Sequence, residues 1–222
     1  MMLSAIVVAA GSSRRMGFDK LMAPLAGAPV LEHSINAFVL SDAVNEVIVV
    51  CPEQRFTKLK IIQNGTLIKR VDGGENRHNS VSNGLDALDS TCTWVAVHDG
   101  ARPLISQQQI HATLESAQLH KAATSAKRIT DTVKRSDSEQ CIKESVDREN
   151  LWAMETPQIF SKDLLLQAYH EVEEAQDLVT DEVSALELIG VHTYLVPNST
   201  PNLKITFPED LALAELLHSG SN

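Results

Sequence analysis

Leu3 to Ala10 (LSAIVVAA) is a nearly unbroken apolar run of eight residues that stops at Gly11. A run this short, rich in β-branched residues and closed by glycine, reads as a strand buried on both faces. Such a strand needs helices on both sides of its sheet, which restricts the chain to few architectures. The downstream pattern agrees. PVLEHSINAFVL (Pro29 to Leu40) reads as a helix, with Val30, Ile35, Phe38 and Val39 on its apolar face and Pro29 at its first position. VNEVIVVC (Val44 to Cys51) and TLIKRVDGG (Thr66 to Gly74) read as strands. ENRHNSVSNGLDALD reads as a helix with Val81, Leu85 and Leu88 on one face. WVAVHDGARP (Trp94 to Pro103) is a strand running into a turn, and Ser106 caps a further helix.

Alternating strands and helices predict an α/β, Rossmann-like, mostly parallel sheet with helices on both faces, in a single domain over residues 1–222. One stretch breaks the pattern. Ile129 to Asp147 holds two short strand-like pieces around a Ser-Asp-Ser turn, the signature of a protruding β-hairpin arm. An isolated hairpin is marginal in water, so the arm fits either a surface hairpin or a dimerisation element packed on a second subunit. A helix from Ser161 to Ala175, a helix opened by DEVSALEL, a strand HTYLVPN, the stretch NLKIT and a helix PEDLALAELLH complete the chain.

The chain has 29 acidic against 19 basic residues, a formal charge of −10. That balance argues against general nucleic-acid or anionic-membrane binding, and leaves phosphate binding open where cations gather locally. Cys51, Cys92 and Cys141 are far apart and form no CxxC pair, which argues against a disulfide framework or a cysteine zinc site. The apolar run at Leu3 is too short to span a bilayer, and a cytoplasmic location is expected.

Ala9, Ala10 and Gly11 lead from the first strand into GSSRRMGFDK, at a carboxyl end of the sheet where open α/β folds bind ligands. Small residues let backbone N–H groups approach an anion, and Arg14, Arg15 and Lys20 add charge. The loop matches neither the dinucleotide fingerprint nor the P-loop. The same residues also fit a plain strand-to-helix turn with solvated arginines. Asp99 and Gly100 follow another buried strand and face the same crevice. Asp99 suits a Mg²⁺ ligand beside substrate phosphates, while Asp-Gly also makes ordinary turns. His98 fits a neutral, hydrogen-bonded histidine better than a ligand. Arg102 fits a partner of Asp99 or a substrate contact. Gly74, Glu75 and Ser80 could read a base edge near a helix start. Lys204 alternates with Leu203 and Ile205, and solvent is its default destination. Thr180 to Glu182 fits a helix start.

AAGSSRRMG, VDGGE, HDGARP, DTVKR, VDRENLWAMETPQIF, TDEVSALE and NLKITFPEDLALAE stand in this order. That series resembles the 2-C-methyl-D-erythritol 4-phosphate cytidylyltransferases over nearly the whole chain. The resemblance implies transfer of cytidylyl from CTP to 2-C-methyl-D-erythritol 4-phosphate, with release of pyrophosphate, in the non-mevalonate route to isoprenoids. It implies Mg²⁺ as cofactor and a homodimer built through the arm. It assigns Arg15, Lys20 and Lys204 to the catalytic cations and Asp99 to metal and nucleotide. Ala9, Ala10, Gly11, Gly74, Glu75, Ser80 and Gly100 fall on the nucleotide site. Thr132 and Arg148 fall on arm residues that reach the neighbouring subunit's sugar phosphate, with Arg102 and Thr156 in support. Two departures stand out. The family loop carries Pro-Lys-Gln where this chain has a shorter loop with Asp19, Lys20 and Leu21, and Glu75 replaces the family's Asp after Gly-Gly. Competing readings are a cytidylyltransferase for another polyol phosphate, such as ribitol 5-phosphate, and a non-catalytic nucleotide-binding module.

Overall fold

The computed structural model describes residues 2–11, 17–175 and 179–220. In chain order the elements are β1 (Leu3–Val8), β2 (Pro24–Leu25), β3 (Ala28–Pro29), α1 (Val30–Val39), β4 (Val44–Val50), α2 (Glu53–Phe56), β5 (Leu67–Val71) and α3 (Arg77–Asp86). Then come β6 (Trp94–Asp99), α4 (Gln107–His120), β7 (Ala122–Arg128), β8 (Val133–Ser136), β9 (Ile142–Val146) and β10 (Trp152–Ser161). The last are α5 (Lys162–Ala175), α6 (Glu182–Leu188), β11 (Tyr194–Pro197) and α7 (Pro208–Ser219).

Seven strands form one sheet in the order β11-β7-β10-β6-β1-β4-β5. β1 pairs in parallel with β4 and β6, β4 with β5, and β11 with β7; β10 alone runs against its neighbours β6 and β7. Alternate residues of the central strands feed two cores. Leu3, Ala5 and Val7 pack with α1 and α4 on one face, while Ile6, Ile48, Val95 and Val97 pack with α3, α5 and α6 on the other. Each fully buried Leu, Ile or Phe contributes about 1.5–3 kcal/mol, so the two-sided burial of β1 fixes its register strongly.

The expected helix N-termini hold to within one or two residues, Ser161 closing β10 just before α5. The Ser106 side chain accepts from Gln109 N and Asp181 caps α6, but Pro29 is the N-cap of α1 rather than its first residue. Two strands of the seven-stranded sheet escaped the sequence reading. β7 is AATSAKR, small and alanine-rich, without the β-branched signal of β1. β10 contains Pro157, which has no N–H for the ladder, and its register with β7 shifts between Met154 and Gln158. Both are strands because neighbours on each side complete their hydrogen bonds, a tertiary effect that propensity does not carry. NLKIT, read as alternating, adopts no regular strand.

The hairpin β8–β9 leaves the sheet between β7 and β10 and forms its own two-stranded sheet. Ion pairs Arg135–Glu144 and Lys143–Asp137, each at 2.7 Å, lace its surface. Ile142 near its tip is 64% exposed.

Candidate active site

The loops after β1, β5 and β6 meet at the carboxyl end of the parallel strands and enclose a cleft of about 680 Å³. Close backbone packing brings them together. A Cβ on Gly73 would lie 2.2 Å from the Ala10 Cβ, and one on Gly100 would lie 2.8 Å from Leu31 Cδ1 and 3.1 Å from Val8 O. At Gly73 only glycine permits that approach, whereas a side chain at Gly100 would have to displace the Leu31 methyl. Ala9, Ala10, Gly11, Lys20, Gly74, Glu75, Ser80, Asp99, Gly100 and Lys204 all line this cleft. Gly74 N donates to Ser80 Oγ at 3.1 Å, and that hydroxyl donates to Asn76 O at 3.0 Å, which fixes the turn into α3. Arg15 lies outside the described residues.

Asp99 is the electrostatic centre. Its carboxylate lies 2.8 Å from Lys204 Nζ and 3.5 Å from both Arg77 Nη2 and Arg102 Nε. Burial alone would push this carboxyl up; Lys204 first, then Arg77, hold it well below the usual carboxylate range. Lys204 stays exposed, as its alternation in NLKIT suggested, but its ammonium is paired with Asp99 at the edge of the cleft. Lys20 reaches across from the first loop and donates to Ile205 O at 2.6 Å, so both lysines meet at the tail segment.

His98 and Thr156 hold Asp99 from behind. The Asp99 N–H donates to Thr156 Oγ1 at 3.1 Å, and Thr156 Oγ1 lies 3.0 Å from His98 Nδ1. The hydroxyl thus spends its own proton on Nδ1, which leaves His98 Nε2–H to donate to Arg102 O at 3.1 Å. That is a neutral tautomer, and burial pushes His98 down to about 4. Arg102 donates to Asn202 O at 2.8 Å and Met154 O at 3.3 Å. A smaller recess of about 130 Å³ opens beside Asp99, lined by Arg77, Arg102, Thr156, Thr180 and Lys204 among others.

Arg77 was missed by the sequence reading. At the first residue of α3 it makes two bonds to Glu182, at 2.6 and 3.1 Å, while also facing Asp99. Glu182 is fully buried and also accepts from Tyr169 Oη at 3.0 Å. The TDE stretch is therefore a helix start that also contributes: Asp181 caps α6, Thr180 lines the recess, and Glu182 fixes Arg77. The only sequence cue was an arginine beside the Gly-Gly turn, and its partner lies far along the chain. Thr132 and Arg148 lie exposed at the root of the arm and line neither cavity. The Arg148 guanidinium donates to Thr130 O across that root.

Among the described residues, no group of three His, Cys, Asp or Glu side chains could hold a metal ion. No helix among them is long and apolar enough to cross a membrane.

The family model for 2-C-methyl-D-erythritol 4-phosphate cytidylyltransferase matches residues 3–219. The chain belongs to that family. A cytidylyltransferase of this name from Caldanaerobacter subterraneus is 40% identical over 97% of this chain and 98% of its own length. A chloroplastic enzyme of this name from rice is 36% identical, covering 97% of this chain and 74% of its own. Among solved structures, 4-diphosphocytidyl-2C-methyl-D-erythritol synthase from Anaerococcus prevotii superposes with a TM-score of 0.86 at 28% identity, covering 98% of this chain and 96% of that one. The 2-C-methyl-D-erythritol 4-phosphate cytidylyltransferase of Thermus thermophilus gives 0.82 at 29%, covering 99% and 100%.

Proposed function

We propose that this chain transfers the cytidylyl group of CTP to 2-C-methyl-D-erythritol 4-phosphate, giving 4-diphosphocytidyl-2-C-methyl-D-erythritol and pyrophosphate, as a cytoplasmic step of isoprenoid precursor synthesis. The observation that carries this reading is the cation cluster where the cleft and its recess join. Lys204, Arg77 and Arg102 converge on Asp99 there, with Lys20 on the facing wall.

An acceptor phosphate oxygen attacks the α-phosphorus of CTP, the new P–O bond forms, and the bond to the bridging oxygen of pyrophosphate breaks. The attacking group is already an anion and needs no strong base. The chain's task is to bring two polyanions together, and Lys20 and Lys204 offset that repulsion and the charge developing in flight. Arg15 belongs to the same set by family resemblance. Ser80, Gly74 and Glu75 take the base and ribose. Asp99, held by Thr156, keeps Lys204 aimed at the junction.

A divalent ion such as Mg²⁺ fits as a companion of the nucleotide. Mg²⁺ keeps several waters and uses one or two carboxylates plus phosphate oxygens, and Asp99 and Glu75 are acidic residues lining the larger cleft. The ion would neutralise phosphate charge. The exposed arm supports a homodimer in which Thr132 and Arg148 of one subunit serve the acceptor site of the other.

The test is pyrophosphate release with CTP and a panel of polyol phosphates that includes ribitol 5-phosphate, with and without Mg²⁺. Release that is fastest with 2-C-methyl-D-erythritol 4-phosphate is expected. A faster reaction with another acceptor, or CTP binding without turnover on any, would overturn the proposal.

A further inference from the structure

We infer that Arg55 is a positioning residue for the nucleotide loop, clasping both of its ends. The inference rests on the reading of the cleft as a CTP site.

Arg55 lies on α2, directly after β4, and its neighbour Phe56 packs against the core beneath. Its side chain is only 10% exposed and points at the loop rather than at solvent. Before the loop, the guanidinium donates to Ala9 O and, at 3.4 Å, to Gly11 O. Beyond it, Nε and Nη2 meet Asp19 Oδ2 at 3.0 and 2.9 Å. Asp19 Oδ1 also accepts from Leu21 N at 3.2 Å, so the carboxylate fixes the turn that carries Lys20.

Two consequences follow. Peptide groups are planar and trans, so an Ala9 carbonyl held on Arg55 sends the Ala10 N–H to the opposite side of that plane. Carbonyl oxygens repel phosphate; gathering two of them on one guanidinium holds them off the anion. Second, Asp19 puts a negative charge beside a polyphosphate site. Unpaired, it would oppose the nucleotide; paired with Arg55, its charge is offset and it becomes a strut. A planar fork with several donors is suited to bridging acceptors on two sides, which a lysine ammonium on a single stem does less well.

The test compares wild type, Arg55→Lys and Arg55→Ala. The readouts are CTP binding by calorimetry, KM for each substrate, kcat and the melting temperature. Arg55→Ala should weaken CTP binding by about ten-fold or more, as expected for loss of charge-assisted bonds, with acceptor KM unchanged. Arg55→Lys, which keeps charge and packing, should fall between it and wild type. Added methylguanidinium should restore part of the CTP affinity of Arg55→Ala, which a purely structural lesion would not allow. Arg55→Lys and Arg55→Ala that both bind CTP within two-fold of wild type would overturn the inference, as would equal losses for both substrates. If Arg55→Ala does not fold, Arg55→Lys decides by the same comparison. A wild-type protein that binds no CTP would instead strike at the proposed function.

Discussion

Lys204 Nζ lies 2.8 Å from Asp99 Oδ2, so a lysine from an irregular tail segment completes a charge cluster begun at the end of β6. Arg77 and Arg102 still face Asp99 without it. Lys204→Met should therefore fold and melt close to wild type while turnover falls by about 10²-fold or more, the scale for loss of one preorganised donor. Pyrophosphate-release rates alongside thermal melts check this; near-normal turnover would remove Lys204 from the reaction.

The Arg77–Glu182 pair makes a different prediction. Glu182 is fully buried, and Arg77 is its cationic partner. Arg77→Met strands a buried carboxylate and should cost about 3–5 kcal/mol. Adding Glu182→Gln removes the stranded charge and should recover much of that loss. Urea titrations with unchanged slope measure both. If the single and double variants lose equal stability, the pair is not what holds α3 to α6.

Acid should act in two stages. His98 is pushed down from 6.5 to about 4 by burial, so between those values the unfolded chain binds more protons than the folded one. Its contribution is complete above about 6.5 and is lost at up to about 1.4 kcal/mol per pH unit on the way down. Asp99, depressed by Lys204 and Arg77, gives up its share as pH falls through and below the usual carboxylate range, where the unfolded group takes up a proton and the folded one does not. His98→Asn should flatten the upper stage alone, measured as denaturation midpoints from pH 7.5 to 4, on the order of half-unit steps.

The shared-site proposal predicts complementation. Arg148→Ala and Lys204→Met should each be inactive or nearly so. After denaturation and refolding together, random pairing should restore about a quarter of wild-type sites, since half the dimers are mixed and each holds one intact site. No recovery on mixing would contradict sites built across subunits.

Much of this could be read from residues alone where the signal is local. Buried runs gave β1 and β4, Ser106 gave the start of α4, and Gly-rich turns after strands located the cleft. Pairings between distant segments could not be read. Arg77 meets Glu182, Arg55 meets Asp19, and Lys204 meets Asp99, and in each case the contact depends on three-dimensional proximity rather than on spacing. β7 and β10 were invisible for the same reason, since small residues and a proline become strand only between partners.

β10 belongs to the sheet and follows the arm in the chain. At its start, Trp152 pairs with Arg128 of β7, and beyond that the strand delivers Thr156 to Asp99. The hairpin is inserted ahead of that rod and shares no ladder with it. Matched residues added to or removed from β8 and β9 would change the arm's reach while leaving the sheet register untouched. Arm length can thus change without moving Thr156 relative to Asp99.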